Sequence, residues 1–196
     1  PLLVASENGH TKVVSLLLVK EGVDVNQANK NGVTPLYIAS QKGHTKVVSL
    51  LLAKEGVDVN QADKDGWTPL LAASQKGHTK VVSLLLAKEG VDVNQANKYG
   101  GTPLFFASLK GHTKVLSLLL AKEGVDVNQA GEDGWTPLIA ASQNGHTKVV
   151  SLLLAKEGVD ANQANKDGVT PLNIASAQGH TKVVSLLLAK EGVDVN

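Results

Sequence analysis

The sequence predicts an all-α fold, a solenoid of stacked helix-turn-helix units joined by hairpin-like loops. Three observations carry that prediction. The dipeptide Gly-His begins at Gly9, Gly43, Gly77, Gly111, Gly145 and Gly179, 34 residues apart each time. Thr-Pro-Leu begins at Thr34, Thr68, Thr102, Thr136 and Thr170 with the same step, and Pro1-Leu2 continues the series. Between these markers lie two short segments with helix start and stop signals. One unit of this size cannot bury its own apolar stripe, whereas stacked copies can, at helix spacings of ~8–10 Å.

The elements follow in order within one copy. Thr34 is an N-cap and Pro35 occupies the first helical turn, where its missing N–H costs nothing. This first helix, A, runs to about Lys42, and Gly43 stops it as a left-handed residue. His44 or Thr45 caps a second helix, B, whose Val47, Val48, Leu50, Leu51 and Leu52 form a broad apolar stripe that ends before Gly56. Val57-Asp58-Val59-Asn60 reads as extended. Asp63-Lys64-Asp65-Gly66 is a tight turn. The chain thus divides into a single array over 1–196, with copies at about 1–33, 34–67, 68–101, 102–135, 136–169 and 170–196, the first and last incomplete.

Composition agrees with a folded core and removes several functions. Hydrophobic residues make up 42% and aromatics only 3%, so Leu, Val and Ala must build the interior. Nineteen basic residues, all Lys, face 18 acidic ones for a net charge of +1. With no Arg and a net charge near zero there is no general reason to expect nucleic-acid binding. Cys is absent, which excludes disulfides and thiolate chemistry and fits a reducing, intracellular and cytoplasmic setting. No N-x-[ST] acceptor, signal-peptide pattern or membrane-length apolar run occurs. The chain starts at Pro1 without Met, so it is expected to be a piece of a longer or processed chain.

Thr-Pro-Leu at Thr68, Gly-His at Gly77, Val-Val-x-Leu-Leu-Leu at Val81 and Val-Asp-Val-Asn at Val91 together resemble the ankyrin repeat, over essentially the whole chain. Two departures stand out. The period is one residue longer than the family's 33, with the extra residue in Ala53-Lys54-Glu55. The His that follows Thr-Pro-Leu in the family is replaced by Leu3, Tyr37, Leu71, Phe105, Ile139 and Asn173, which suggests apolar contacts where a polar tie would stand. The resemblance implies an ankyrin-type solenoid that binds a partner protein along its concave face, formed by hairpin tips and helix A, with no catalysis.

Differences among the copies fall where the resemblance places that face. Helix B is nearly constant, Leu116 for Val being its one change, whereas turns and helix A vary and hold all six aromatics. The candidate partner-binding residues are Asn31, Val33, Tyr37, Lys42, Asp65, Trp67, Gln75, Lys76, Lys98, Tyr99, Phe105, Leu109, Lys110, Glu132, Asp133, Trp135, Gln143 and Asn144. Tyr99, Phe105, Leu109 and Trp135 are expected at the apolar centre, flanked by Lys98, Lys110 and Glu132. A packing reading stands beside this one for the two Trp. Val33 is paired with Ile38, Trp67 with Ala72, Gly101 with Phe106, Trp135 with Ala140 and Val169 with Ile174, as if each pair shares one volume.

Other chemistries fail on spacing. The six His recur roughly 10 Å apart by helix spacing, too far to share a metal, so no metal or cofactor is expected and the His are read as loop anchors. Asp63-Gly66 lacks the Glu that would close a calcium loop. The Thr of Thr-Pro is a cap, not an accessible phosphorylation site. Lys12, Lys46, Lys80, Lys114, Lys148 and Lys182 form a solvated ridge balanced by acidic residues. No catalytic constellation stands outside the repeat, so no enzyme is expected.

Near-identical copies also fit a structural or engineered consensus-like scaffold without a selected ligand. The terminal copies keep the apolar stripe, Val13 to Leu18 at one end and Val183 to Leu188 at the other. Their outer faces are expected either to belong to a longer array or to self-associate, with Leu187 taken as part of the exposed rear.

Overall fold

The computed structural model of the chain describes residues 1–195; Asn196, the end of the last predicted copy, lies outside them. The described residues form twelve α-helices and no strand. Two compact units result, Pro1–Lys98 and Tyr99–Asn196. The first holds α1 (Leu2–Glu7), α2 (Thr11–Leu18), α3 (Pro35–Lys42), α4 (Thr45–Ala53), α5 (Pro69–Lys76) and α6 (Thr79–Ala87). The second holds α7 (Pro103–Leu109), α8 (Thr113–Leu120), α9 (Pro137–Gln143), α10 (Thr147–Leu154), α11 (Pro171–Ala177) and α12 (Thr181–Leu188). In the first unit α1, α3 and α5 pack in succession, as do α2, α4 and α6; in the second, α7, α9 and α11 do so beside α8, α10 and α12.

Local signals act as expected at helix A. The Thr34 hydroxyl accepts from the Tyr37 N–H at 3.0 Å, and Thr68, Thr102 and Thr136 repeat the bond at 3.1 Å. Each of these Thr is buried. In the last copy Asn173 closes a reciprocal capping box with Thr170. Gly43 ends α3 at φ 76°.

Helix B starts differently from expectation. His44 stands at its N-cap but makes no side-chain cap bond. Its ring Nε2–H instead donates to the Glu7 carbonyl of the preceding copy at 2.9 Å, and His78 does the same to Gln41 at 3.0 Å. In the second unit His146 reaches Leu109 and His180 reaches Gln143. The His is therefore an anchor, as predicted, but it anchors the copy before its own. The ring also lies against that copy's Gly: a Cβ on Gly43 would stand 2.7 Å from the His78 ring.

The stretch Val57–Asn60 is not extended throughout. Residues 59 and 60 turn, and the Asn60 N–H is held by the Asp58 carboxylate at 2.9 Å. Among the replacements for the family's His, Leu71 and Ile139 are fully buried and make the expected apolar contact surface. Tyr37 is buried too, yet keeps a polar tie, being hydrogen-bonded to the Asp63 carboxylate in the turn that ends its own copy. At the rear of the last copy Leu187 is wholly buried, so it is no part of the outer face; Leu188 is exposed instead, at 53%.

Candidate partner-binding surface

The variable residues are carried on turns of fixed geometry. Asp63 accepts the N–H groups of Asp65 and Trp67 on one carboxylate oxygen, both at 2.9 Å, and the backbone pairs Asp63 N–H with the Trp67 carbonyl at 3.0 Å. A short acidic or amide side chain suits that place because it reaches back to its own turn, although Gly131 keeps the same backbone bonds without one. Successive tips are joined by one backbone bond each. Lys64 donates to Asn31 and Lys98 to Asp65 in the first unit, both at 3.0 Å; Glu132 donates to Tyr99 and Lys166 to Asp133 in the second, both at 3.1 Å. Tip residues of one unit thus share one register.

In the first unit Asn31, Asp65, Lys42, Lys76 and Lys98 are exposed, and Val33, Trp67 and Gln75 are half-buried. Asp65 and Lys98 form an ion pair. Tyr37, Ile38 and Ala72 make a buried cluster on which Leu3, Val33 and Trp67 pack. Two of the proposed size pairs, Val33 with Ile38 and Trp67 with Ala72, therefore share one space. Trp67 packs against the scaffold with part of its ring while part remains accessible. Tyr37 presents only 6% of its surface. Its hydroxyl accepts from Gln41 at 3.2 Å, and its pKa is pushed up to about 12 by burial first, then by the charge and hydrogen bond of Asp63 and the charge of Asp65.

In the second unit Tyr99 is the most exposed aromatic of the tips, at 59%. Phe105, Leu109 and Trp135 are half-buried. Phe105 and Leu109 are four residues apart on α7 and so share a helix face. Phe105 also meets Phe106 edge to face at 5.4 Å between ring centres. Lys110, Glu132, Asp133 and Asn144 are exposed and Gln143 is half-buried.

Sequence reasoning missed most of the polar ties between copies. Lys54 reaches back to the Leu18 carbonyl at 3.0 Å, closing the C-terminal end of the preceding helix B, and Lys88, Lys156 and Lys190 do likewise. Asn60 donates to the Gly90 carbonyl at 2.7 Å and accepts the Asp92 N–H at 2.9 Å; Asn26, Asn128 and Asn162 repeat the pair. Constancy across copies was their signal, though it does not say which neighbour a side chain reaches. Among the described residues no group of His, Asp and Glu could hold a metal ion, and no helix is long and apolar enough to cross a membrane.

The family model described as "Ankyrin repeats (3 copies)" matches residues 1–63, 52–131 and 123–196. No curated protein matches. The crystal structure of the ankyrin repeat protein EF0377 is similar at 29% identity and TM-score 0.89, over 95% of this chain and 96% of that one. An ankyrin repeat domain, ABAYE2397, from Acinetobacter baumannii AYE is similar at 32% identity and TM-score 0.88, over 97% of each chain.

Proposed function

This chain belongs to the ankyrin-repeat family, and from that premise we propose that it is a non-catalytic interaction module whose hairpin tips and helix A bind a partner protein. Ankyrin repeats are generally protein-interaction modules and their fold is generally non-catalytic. What supports the reading here is the second unit's variable set: Tyr99 is exposed and tied through its carbonyl to Glu132, Phe105, Leu109 and Trp135 are half-buried, and Lys110, Glu132 and Asp133 are exposed. Aromatic anchors ringed by polar residues are the usual composition of a binding hot spot. The partner is expected to present apolar side chains to this patch and mixed charge around it. The first unit adds Asn31, Val33, Trp67, Gln75, Lys42 and Lys76 on its own tips and helices. The cysteine-free sequence suits an intracellular setting.

Affinity capture from a cell extract tests this. Tyr99→Ser combined with Leu109→Ser should weaken capture of the recovered partner by about 30-fold, the scale of a hot-spot loss. Lys148→Glu on helix B should leave capture unchanged. Loss with the helix B variant and not with the tip variant would overturn the assignment. A chain that captures nothing would favour the scaffold without a ligand.

A further inference from the structure

Each unit separates its charges along the helix axes. α3 and α4 are joined only by Gly43 and His44 and pack on each other, so they run antiparallel, and the other copies are built alike. The turn between helix A and helix B thus lies at one end of the helices, and the loop from helix B to the next tip leaves from the other. Successive copies keep this direction: Lys88 at the end of α6 reaches the Leu52 carbonyl in α4, and in the second unit Lys190 reaches Leu154. At the A–B turn end the first unit carries five Lys and one acidic residue, Glu7; the second carries four Lys and no acidic residue. At the opposite end six Lys stand with eight acidic residues in the first unit, and four with nine in the second. The Lys ridge is exposed as expected, but the acidic residues that balance it in number lie at the far end of the helices. Nine-residue α4 alone separates them by ~13 Å, more than the screening length of ~8 Å at physiological salt.

Two rows carry this separation. Lys46 and Lys80 in the first unit, and Lys114 and Lys148 in the second, are each the second residue of a helix B. They are exposed and make no ion pair among the described residues. Glu55, Glu89, Glu123 and Glu157 follow the C-terminal ends of the same four helices, and they too are exposed and without an ion pair among the described residues. Neighbouring Lys54, Lys88 and Lys156 are turned onto backbone carbonyls instead. Neither row serves its own helix. A cation in the first turn and an anion past the last both oppose the helix dipole, so helix stability does not select them.

We propose that two molecules of this chain associate side by side, the Lys row of a unit in one molecule receiving the Glu row of a unit in the other. Each row places one charge per copy, so both have the pitch of the stack, ~10 Å, and carboxylates meet ammonium groups without a change of register. A partner of unrelated fold would have to reproduce that pitch; a second copy has it by construction. The second unit, with its larger acidic excess, supplies the stronger Glu row. Exposed ion pairs are individually weak and screened by salt, so the association is weak and depends on ionic strength. The two rows lie at opposite ends of the helices, so each molecule keeps one row of each sign free and the contact is open, growing sideways. Neither row contains a residue assigned to the partner-binding surface, so this goes beyond that reading.

Sedimentation velocity up to millimolar protein tests the proposal, at an ionic strength of about 0.01 M, where charges act over ~30 Å, and at about 1 M, where they act over ~3 Å. The average mass should rise with concentration at low salt and stay that of a monomer at high salt. A Lys-row variant combines Lys46→Gln, Lys80→Gln, Lys114→Gln and Lys148→Gln. A Glu-row variant combines Glu55→Gln, Glu89→Gln, Glu123→Gln and Glu157→Gln. All eight positions are exposed, so circular dichroism should show unaltered folding. Each variant alone should associate about tenfold more weakly or less. Their mixture should form one-to-one pairs, because each keeps the row that the other lacks. A control with Lys20→Gln, Lys30→Gln, Lys64→Gln and Lys166→Gln removes the same charge from the opposite end and should associate as the wild type does. A wild-type chain that stays monomeric at low salt, association indifferent to salt, a control as impaired as the Lys-row variant, or a mixture no better than its components would each overturn the proposal. A monomeric chain that binds poly-glutamate or phosphatidylserine vesicles would overturn it too, and would give the Lys row to an acidic partner of another kind.

Discussion

Tyr37 takes the place of a His in the family pattern and does related work with a different titration. Its ring is buried in the cluster that holds Ile38 and Ala72, and its hydroxyl lies between Gln41 and Asp63. The neutral phenol suits that place; a phenolate would be buried beside Asp63 and Asp65. Its pKa of about 12 lies above the ordinary value of 10.0. In the unfolded chain the group loses its proton near the ordinary value, and in the folded chain only near the raised one. Its contribution is therefore fully present below pH 10 and is lost as the pH rises toward 12. The loss amounts to about 2 kcal/mol. Denaturant titrations should show the wild-type chain losing more stability than Tyr37→Phe across this interval. Equal slopes for the two chains would refute the assignment.

At the scale of the element, the glycine after helix A has two reasons to be glycine, and they can be separated. Gly43 and Gly56 share a left-handed backbone, at φ 76° and 77°. A Cβ on either is strained by about 1–2 kcal/mol. Only at Gly43 would that Cβ also strike the His78 ring, and His78 is held by its bond to Gln41. A Cβ on Gly56 would meet no atom within 4 Å. Gly43→Ala should therefore destabilise the chain more than Gly56→Ala, by about the worth of the hydrogen bond that His78 must give up, near 1 kcal/mol. Thermal unfolding of the two variants measures the difference. Identical melting temperatures would mean that backbone strain alone selects glycine at both positions.

Each of the molecule's two units repeats one interface, and this decides what its sequence could reveal. Helix positions, the Thr caps and the packing stripe were legible because each depends on residues within one copy. Helix A begins at Pro35 because Thr34 and Pro35 are adjacent. The reach of His44, Lys54 and Asn60 was not legible, since each bonds a backbone group in a neighbouring copy and nothing in its own copy marks the target. Leu187 and Leu188 were confused because neighbouring residues on a helix differ in facing by ~100°, and the stripe was too broad to tell them apart. The candidate surface was legible only as variation: the cluster on which Trp67 packs shows that part of that variation serves packing. If stability is a sum over copies and neighbour contacts, removing one terminal copy should subtract one copy term and one contact term and no more. Deleting residues 170 onward takes away α11 and α12 with the His180, Lys190 and Asn162 ties. It leaves Leu154 as the new rear in the place of Leu188. Urea unfolding of the shortened chain should show a denaturant slope lower by about one sixth, since the slope follows the surface exposed on unfolding. Helical signal per residue should be unchanged. Wholesale loss of helix on removing this one copy would show that the last interface carries more of the fold than the others it duplicates.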